Sequence, residues 1–236
     1  QLHSKTPGHP EHGITDGVET TTGPLGQGLA NAIGMAIAEK ILGSKINTEK
    51  IKPVDHRTFC FIGDGCLMEG ISHEVMSLAG VLELNKLICF YDSNGISIDG
   101  EIKEWYKDDI ELRCKSYGWN VIGEIDGHNR DEINQAIVAA KQSNKPTMIV
   151  CKTSIGYGAG SKQDSESSHG SPLGEEVLTE LRKNLDWEYQ PFEIPKSVYA
   201  DWDFKEKGKN LEENWKAICA DHAKNDPEKA TLLKRL

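Results

Sequence analysis

The chain has 236 residues, a hydrophobic fraction of 37%, a charged fraction of 27% and a formal net charge of −10. This length is enough to bury a core in one α/β domain with an appendage, or in two small domains. The negative charge argues against nucleic-acid and anionic-membrane partners, because both would need a basic face. No apolar run approaches the length of a membrane span, and the first residues do not form a secretory signal.

The six cysteines form no Cys-x-x-Cys pair, and three of them lie in apolar runs. This pattern favours buried free thiols in a reducing cytoplasm over disulfides or a zinc site. The chain starts without methionine, within a segment that reads as a loop. We therefore expect that the sequence is a fragment of a longer protein.

The first 23 residues are rich in Gly, Pro, Thr and His and show no periodicity, which predicts a long loop. Apolar residues then recur at helical spacing from Pro24 to about Leu42. Thr22 or Gly23 can cap this predicted helix, and Pro24 suits its first turn. A polar linker follows over residues 45–56.

Apolar runs and helical patterns alternate in the next hundred residues. We predict strands over residues 58–62, 87–91, 120–125 and 147–151, and helices over 69–82, 110–117 and 130–142. The run 58–62 is continuously apolar, which is typical of a strand buried on both faces. Alternation with short connections predicts an α/β fold, a parallel sheet with helices on both faces.

The last part of the chain has a different character. A loop over residues 152–171 carries His169 and leads to Pro172. Beyond it we predict a charged helix over 174–185, an extended stretch over 187–195 and one or two exposed helices over 198–236. We therefore divide the chain into an α/β domain, residues 1–171, and a mostly helical linker, residues 172–236, which we expect to pack on a neighbouring domain.

Oxygen ligands follow two of the predicted strands. In parallel sheets, ligands bind beyond the carboxyl ends of the strands. Asp64 offers a carboxylate there, Asn94 an amide oxygen and Ile96 a backbone carbonyl, which leaves room for phosphate oxygens and water around a Mg²⁺ ion. Gly63 and Gly65 allow a phosphate to approach the backbone. A Gly-Asp-Gly alone is a common turn, and only its combination with Asn94 indicates a metal-diphosphate site.

These residues carry a family resemblance. Gly63-Asp64-Gly65 and the later Ser93-Asn94 resemble the Gly-Asp-Gly to Asn-Asn fingerprint of thiamine-diphosphate enzymes. Ser93 departs from that fingerprint but leaves the ligating asparagine in place. The wider sequence resembles transketolase in particular, over residues 6–11, 17–28, 65–74 and 168–170.

The resemblance implies roles for individual residues, with thiamine diphosphate and Mg²⁺ or Ca²⁺ as cofactors. It makes Asp64, Asn94 and Ile96 metal ligands; Gly65, Asn94 and His169 diphosphate contacts; Gly23, Pro24 and Leu25 neighbours of the aminopyrimidine ring; and His9 and His169 the histidines near the reacting carbons.

Two acidic residues, Glu69 and Glu74, match residues that in the family's dimer hydrogen-bond towards the partner chain's catalytic glutamate. A buried pair of carboxylates could share a proton and link two sites. The plain alternative is that both are caps or solvated helix residues. His9 has a similar alternative as a loop histidine bound to backbone. Nothing distinguishes the other histidines, and we assign them structural roles: His3, His12, His56, His73 and His128.

The resemblance implies that the intact enzyme moves a two-carbon ketol (glycolaldehyde) unit from a ketose phosphate to an aldose phosphate in the pentose phosphate pathway. It implies a cytoplasmic homodimer with the site at the subunit interface, or a separate partner chain if the gene is split. A dihydroxyacetone synthase-like ketol transferase shares these motifs. As an isolated chain, the fragment is expected to be inactive, and a non-catalytic cofactor-binding and dimer-interface module is the second alternative.

Overall fold

The computed structural model describes residues 4–235. The strands are β1 (Thr58–Gly63), β2 (Leu87–Ser93), β3 (Ile96–Ser97), β4 (Gly100–Glu101), β5 (Asn120–Asp126) and β6 (Thr147–Lys152). The helices are α1 (Gln27–Ile46), α2 (Asp64–Met68), α3 (Gly70–Val81), α4 (Ile110–Ser116), α5 (Arg130–Ala140), α6 (Glu175–Asn184), α7 (Lys196–Trp202), α8 (Lys205–Asn225) and α9 (Pro227–Leu233).

Within the described residues, four parallel strands form the main sheet in the order β1-β2-β6-β5. The register pairs Gly63 with Asp92 and Ser93 with Lys152, so the carboxyl ends of β1, β2 and β6 meet at one edge. β3 and β4 form a small antiparallel hairpin just beyond the end of β2. The parallel sheet predicted from the sequence is confirmed.

Helices cover both faces of this sheet, as predicted. On one face α1, α3 and α4 bury Leu29, Ile33, Met76 and Cys114 against the inward side chains of the strands. On the other face α5 packs through Ala136 and Ala140. The small residues of α5 let the helix lie close to the sheet, and burial of apolar surface in these two layers is the main favourable contribution to folding.

The prediction that β1 is buried on both faces is wrong. Cys60 and Ile62 are buried, but Phe59 is 44% exposed and Phe61 is 78% exposed. The reason is the position of β1 at the edge of the sheet, because α5 lies over β5 and β6 and does not extend as far as β1. Phe61 stacks on Phe90 of the neighbouring strand, with ring centroids 4.9 Å apart.

The predicted limits of the first helix are also wrong. The helix begins at Gln27, capped by Gly26 in the left-handed region with φ 79°, and not at Thr22 or Gly23. A Cβ at position 26 would lie 2.7 Å from Cγ2 of Ile71, so this turn needs glycine both for its φ and for space. At the other end the helix continues past Leu42 to Ile46, so it includes residues that the sequence analysis placed in the polar linker.

The helix predicted over residues 69–82 is preceded by a second, short helix. α2 starts directly at Asp64, and the extended residue Glu69 (ψ 140°) separates it from α3. Ser72 stabilises this break, because its hydroxyl donates to the Cys66 carbonyl at 2.5 Å. The apolar periodicity of α3 gave no signal for α2, whose five residues are too few to show one.

The C-terminal helices return to the α/β domain. The Trp215 indole donates to the Pro53 carbonyl at 2.9 Å, and Lys229 Nζ donates to the Asn47 carbonyl at 3.0 Å. His222 is fully buried, and its Nε2–H donates to the Ile46 carbonyl at 2.9 Å. One or two exposed helices were predicted over 198–236; the structure has three, α7, α8 and α9, of which α7 begins at Lys196. They are mostly exposed, but α8 and α9 pack against the end of α1.

All six cysteines are free thiols, as predicted, and four of them are buried. Within residues 4–235, no helix is both long enough and apolar enough to cross a lipid bilayer.

Candidate functional site

A cavity of about 720 Å³ lies at the sheet edge where β1, β2 and β6 end. Its wall brings together most of the predicted metal and diphosphate residues: Leu25, Gly65, Asp64, Asn94, Ile96 and His169. These residues come from the loop before α1, from the ends of β1 and β2, and from the loop after β6. The position of the cavity is the one expected for a ligand site of a parallel sheet.

Asp64 is the most buried polar group of this cavity, with 3% of its surface exposed. The Tyr91 hydroxyl donates to its Oδ1 at 2.5 Å, and the backbone N–H of Gly95 donates to its Oδ2 at 3.1 Å. Burial raises the pKa of the Asp64 carboxyl, and the two hydrogen bonds oppose that shift by stabilising the charged form. The carboxylate is thus buried and held in one orientation.

The loop over residues 94–96 is also fixed by hydrogen bonds. Asn94 Oδ1 accepts from the Ile96 N–H at 2.9 Å, and Gly95 has a left-handed φ of 72°. The Gly95 carbonyl accepts from the Ile102 N–H at 3.0 Å, which ties the loop to the residue that follows the β3–β4 hairpin. The side chain of Asn94 and the backbone of Ile96 are therefore presented together beside Asp64.

The donor set fits a hard cation that is bound partly by another ligand. Among residues 4–235, no group of three or more His, Cys, Asp or Glu side chains is arranged to hold a metal ion. A cation here would take one carboxylate, one amide oxygen and a backbone carbonyl, and the remaining ligands from phosphate or water, as Mg²⁺ commonly does. Gly65 keeps this wall open, since a Cβ there would lie 3.1 Å from Cδ1 of Leu25.

A second cavity, of about 590 Å³, adjoins the first. His9, Gly23 and Pro24 line it, and Leu25 and Cys66 line both cavities. His9 lies close to the turn, because a Cβ at Gly23 would be 3.3 Å from Cδ2 of its ring. The structure thus brings the predicted ring neighbours next to the 720 Å³ cavity.

Glu69 and Glu74 lie apart from these cavities. Both are exposed, at the start and on the outer side of α3. Within this single chain the two carboxylates do not form a buried pair, because α3 turns this side to solvent. Their role towards a partner subunit stays a prediction.

Two residues of the site region were missed by the sequence analysis. Tyr91 was read only as the end of an apolar strand, although its hydroxyl contacts Asp64. His128 was assigned a structural role, but it lines the 720 Å³ cavity. Its Nε2 accepts from the Ser154 N–H at 2.9 Å and its ring stacks on Tyr157, so it orders the loop after β6. A histidine just after a strand end was the available signal for it.

Arg113 of α4 contacts the end of α2, the short helix that begins with Asp64. Its Nη2 donates to the Leu67 carbonyl at 2.9 Å, at the end of α2, and its Nη1 donates to the Tyr106 hydroxyl at 3.1 Å and to Asp108 at 2.9 Å. This guanidinium therefore joins α4 to the short helix that begins with Asp64.

Comparisons with known proteins agree with this geometry. The family model described as "Transketolase, thiamine diphosphate binding domain" matches residues 1–236. The transketolase of Buchnera aphidicola is 59% identical over 216 residues, which are 91% of this chain and 32% of that protein. Transketolase 1 of Escherichia coli is 54% identical over 236 residues, 100% of this chain and 36% of that protein.

Solved structures show the same relation. Transketolase from Leishmania mexicana superimposes with a TM-score of 0.92 at 40% identity, over 98% of this chain and 35% of that one. Transketolase from Pichia stipitis, solved with sedoheptulose-7-phosphate, gives a TM-score of 0.93 at 38% identity, over 100% of this chain and 35% of that one. The chain spans about a third of the length of the relatives it matches. It belongs to the transketolase family and corresponds to the family's thiamine diphosphate binding domain.

Proposed function

We propose that this chain anchors thiamine diphosphate by its diphosphate group, through a divalent cation bound by Asp64, Asn94 and the Ile96 carbonyl. The observation that carries the proposal is the buried, doubly hydrogen-bonded Asp64 carboxylate beside the ordered 94–96 loop, in one cavity. Mg²⁺ and Ca²⁺ both accept such oxygen ligands. With a net charge of −10, the chain needs a cation to offset the negative charge of a bound diphosphate.

The other cavity residues have complementary roles in this proposal. Gly65 leaves space for the diphosphate, and His169 reaches it from the loop after β6. Gly23, Pro24 and Leu25 face the aminopyrimidine ring, and His9 and His169 move protons near the reacting carbons, as suits histidine near neutral pH. The bound cofactor supplies the nucleophilic carbon, and the protein supplies orientation and proton transfer.

For the whole protein, we propose transfer of a two-carbon ketol unit from a ketose phosphate to an aldose phosphate, within the pentose phosphate pathway in the cytoplasm. Support comes from the relatives, since Pichia stipitis transketolases have been solved with sedoheptulose-7-phosphate and with fructose-6-phosphate. We further propose a homodimer with the site at its interface, where Glu69 and Glu74 on the exposed side of α3 would meet the partner subunit. Residues 172–236 would lead from the 1–171 domain to the next domain.

Calorimetry of thiamine diphosphate binding, with Mg²⁺ and with Ca²⁺, tests the anchoring site. Asp64→Asn in the full-length gene product should abolish cation-dependent binding, because the carboxylate is the only charged ligand in the proposed set. Asp126→Asn is the matched control, since Asp126 also ends a strand but accepts from the His128 N–H outside the cavity wall. Equal affinity of the Asp64→Asn variant and the wild type would refute the assignment.

Acceptor choice tests the reaction. We expect ribose 5-phosphate to be preferred over formaldehyde when the full-length gene product is assayed with a ketose phosphate donor. Preference for formaldehyde would instead favour a dihydroxyacetone synthase-like activity.

A further inference from the structure

Tyr91 is an unusual residue for its place in the sheet. It ends the apolar run of β2, and only 5% of its surface is exposed. Its ring belongs to the same core cluster as Ile62 and Leu67. A phenylalanine ring would fill this position equally well. Its hydroxyl is a polar group in this core, and it donates to Asp64. Packing therefore accounts for an aromatic ring at this position, but it does not account for the hydroxyl. The hydroxyl's contact is with Asp64.

The contact with Asp64 follows from the register of the sheet. Ile62 of β1 lies opposite Tyr91 of β2, so the Tyr91 ring projects on the face of the sheet where α2 begins. Asp64 is the first residue of α2 and reaches the hydroxyl at 2.5 Å. The distance is in the range of hydrogen bonds to a charged oxygen, which are among the strongest in proteins.

The two hydrogen bonds to Asp64 leave it free to bind a cation. A carboxylate has about four lone-pair positions on its two oxygens. Tyr91 uses one on Oδ1 and Gly95 uses one on Oδ2, so one position on each oxygen is left. Because both oxygens accept hydrogen bonds, the buried side chain cannot rotate away from the cavity without breaking one of them.

We propose that Tyr91 is a positioning residue, whose hydroxyl fixes the Asp64 carboxylate in the orientation that binds the divalent cation. The inference rests on the proposed function of Asp64 as a metal ligand. Tyr91 does not line the 720 Å³ cavity itself, and it acts through Asp64. Groups that orient metal ligands in this way change metal affinity by about 10- to 100-fold when they are removed.

The two candidate cations should respond differently. Mg²⁺ requires a nearly ideal octahedron with short bonds, whereas Ca²⁺ accepts more ligands in flexible arrangements. A carboxylate that has lost its orientation should therefore bind Mg²⁺ much less well and Ca²⁺ only a little less well. A hydroxyl that merely stabilised the core would weaken both cations equally, so the ratio of the two affinities separates the two roles.

The test measures the affinity for Mg²⁺ and for Ca²⁺ by titration calorimetry. Each cation is titrated into the full-length gene product at a fixed concentration of thiamine diphosphate. Tyr91→Phe should lose about 10- to 100-fold in Mg²⁺ affinity and clearly less in Ca²⁺ affinity. Tyr117→Phe is the matched control, because it also removes a hydroxyl hydrogen bond, to Nδ1 of His73 at 2.9 Å. Tyr91→4-aminophenylalanine keeps a donor at the same position and should restore Mg²⁺ affinity, even if the phenylalanine variant folds poorly.

The outcomes are distinct. An unchanged Mg²⁺ affinity in Tyr91→Phe, an equal loss for both cations, or failure of the 4-aminophenylalanine variant to restore binding would each overturn the role of Tyr91. Absence of cation-dependent binding in the wild type would refute the proposed function of Asp64 and this inference together. A selective loss of Mg²⁺ affinity in Tyr91→Phe, with wild-type behaviour of Tyr117→Phe, supports both.

Discussion

Burial decides the chemistry of single residues in the core, and the thiols show this most clearly. Cys114 lies fully buried on α4, where burial raises the pKa of its thiol from 9.0 to about 11. Cys89 is buried in the middle of β2, and the hydrogen bond with the neighbouring Cys60, together with burial, raises the pKa of the Cys89 thiol. Such thiols are packing residues, because the reactive thiolate is disfavoured.

The shift at Cys114 predicts a loss of stability at alkaline pH. Above about pH 9 the unfolded chain releases this proton while the folded chain keeps it, so the free energy of unfolding falls with pH until about pH 11. At 1.36 kcal/mol per pKa unit, the loss from this group is about 2 kcal/mol at roughly pH 10.5. Urea unfolding of the wild type and of Cys114→Ala, near neutral pH and at high pH, measures it. The variant should lose less stability than the wild type; parallel losses would contradict the prediction.

At the level of elements, close contacts between helices depend on glycine. Gly80 of α3 lies against the turn after α4, and a Cβ there would be 1.7 Å from the Tyr117 carbonyl oxygen. That atom belongs to the backbone and cannot move without shifting α4 itself. Gly208 of α8 provides the contrast, since nothing lies within 4 Å of a Cβ at that position.

These two glycines should respond in opposite directions to the same substitution. Gly80→Ala should destabilise the protein by more than about 3 kcal/mol through overpacking. Gly208→Ala should stabilise it by up to about 1 kcal/mol, because alanine has the higher helix propensity. Chemical denaturation of the two variants measures both effects. A tolerated alanine at position 80 would show that α3 and α4 can separate.

The buried His222 connects α8 to α1. It donates to the Ile46 carbonyl from a position with no exposed surface. His222→Ala should remove this bond and leave a cavity, at a cost of about 2–4 kcal/mol in local stability. Amide hydrogen exchange should then become faster in α8 and α9 and stay unchanged in β2 and β6. His56→Ala, at an exposed histidine, is the control, and equal exchange in both variants would contradict the role of His222.

At the level of the whole molecule, the edge of the sheet is an exposed apolar surface. β1 has one neighbouring strand among the described residues, and Phe59 and Phe61 are exposed beside its open edge. Exposed apolar edge strands promote association through unpaired backbone groups.

We expect the 236-residue chain alone to self-associate through this edge. Phe61→Lys should reduce its association, measured by light scattering coupled to size-exclusion chromatography, with little change in the free energy of unfolding, because the Phe61 side chain is largely exposed. Phe192→Lys is the control, since Phe192 is similarly exposed but lies in a turn before α7, away from β1. If both substitutions reduce association equally, the edge is not the cause.

The parallel sheet, and the sheet edge at which the candidate site lies, could both be predicted from the sequence. Strands that run in parallel have their carboxyl ends at one edge, so Asp64 and Asn94 had to lie near each other once their strands were recognised. The glycines around Asp64 and the family motifs added the metal-diphosphate interpretation. These features could be predicted because they depend on the periodicity of apolar residues and on the order of strands and helices, which are both visible in the sequence.

The contacts that support the candidate site, and the surfaces that stay exposed, could not be predicted from the sequence. Tyr91 and Asp64 are 27 positions apart, and His222 and Ile46 are 176 positions apart, so no local pattern could pair them. The exposure of Phe61 depends on how far α5 extends across the sheet, and the start of α1 depends on Ile71 from another helix. The physical reason is the same in each case: side-chain contacts between distant segments are fixed by packing, whereas the period of a strand or a helix is fixed by its own backbone.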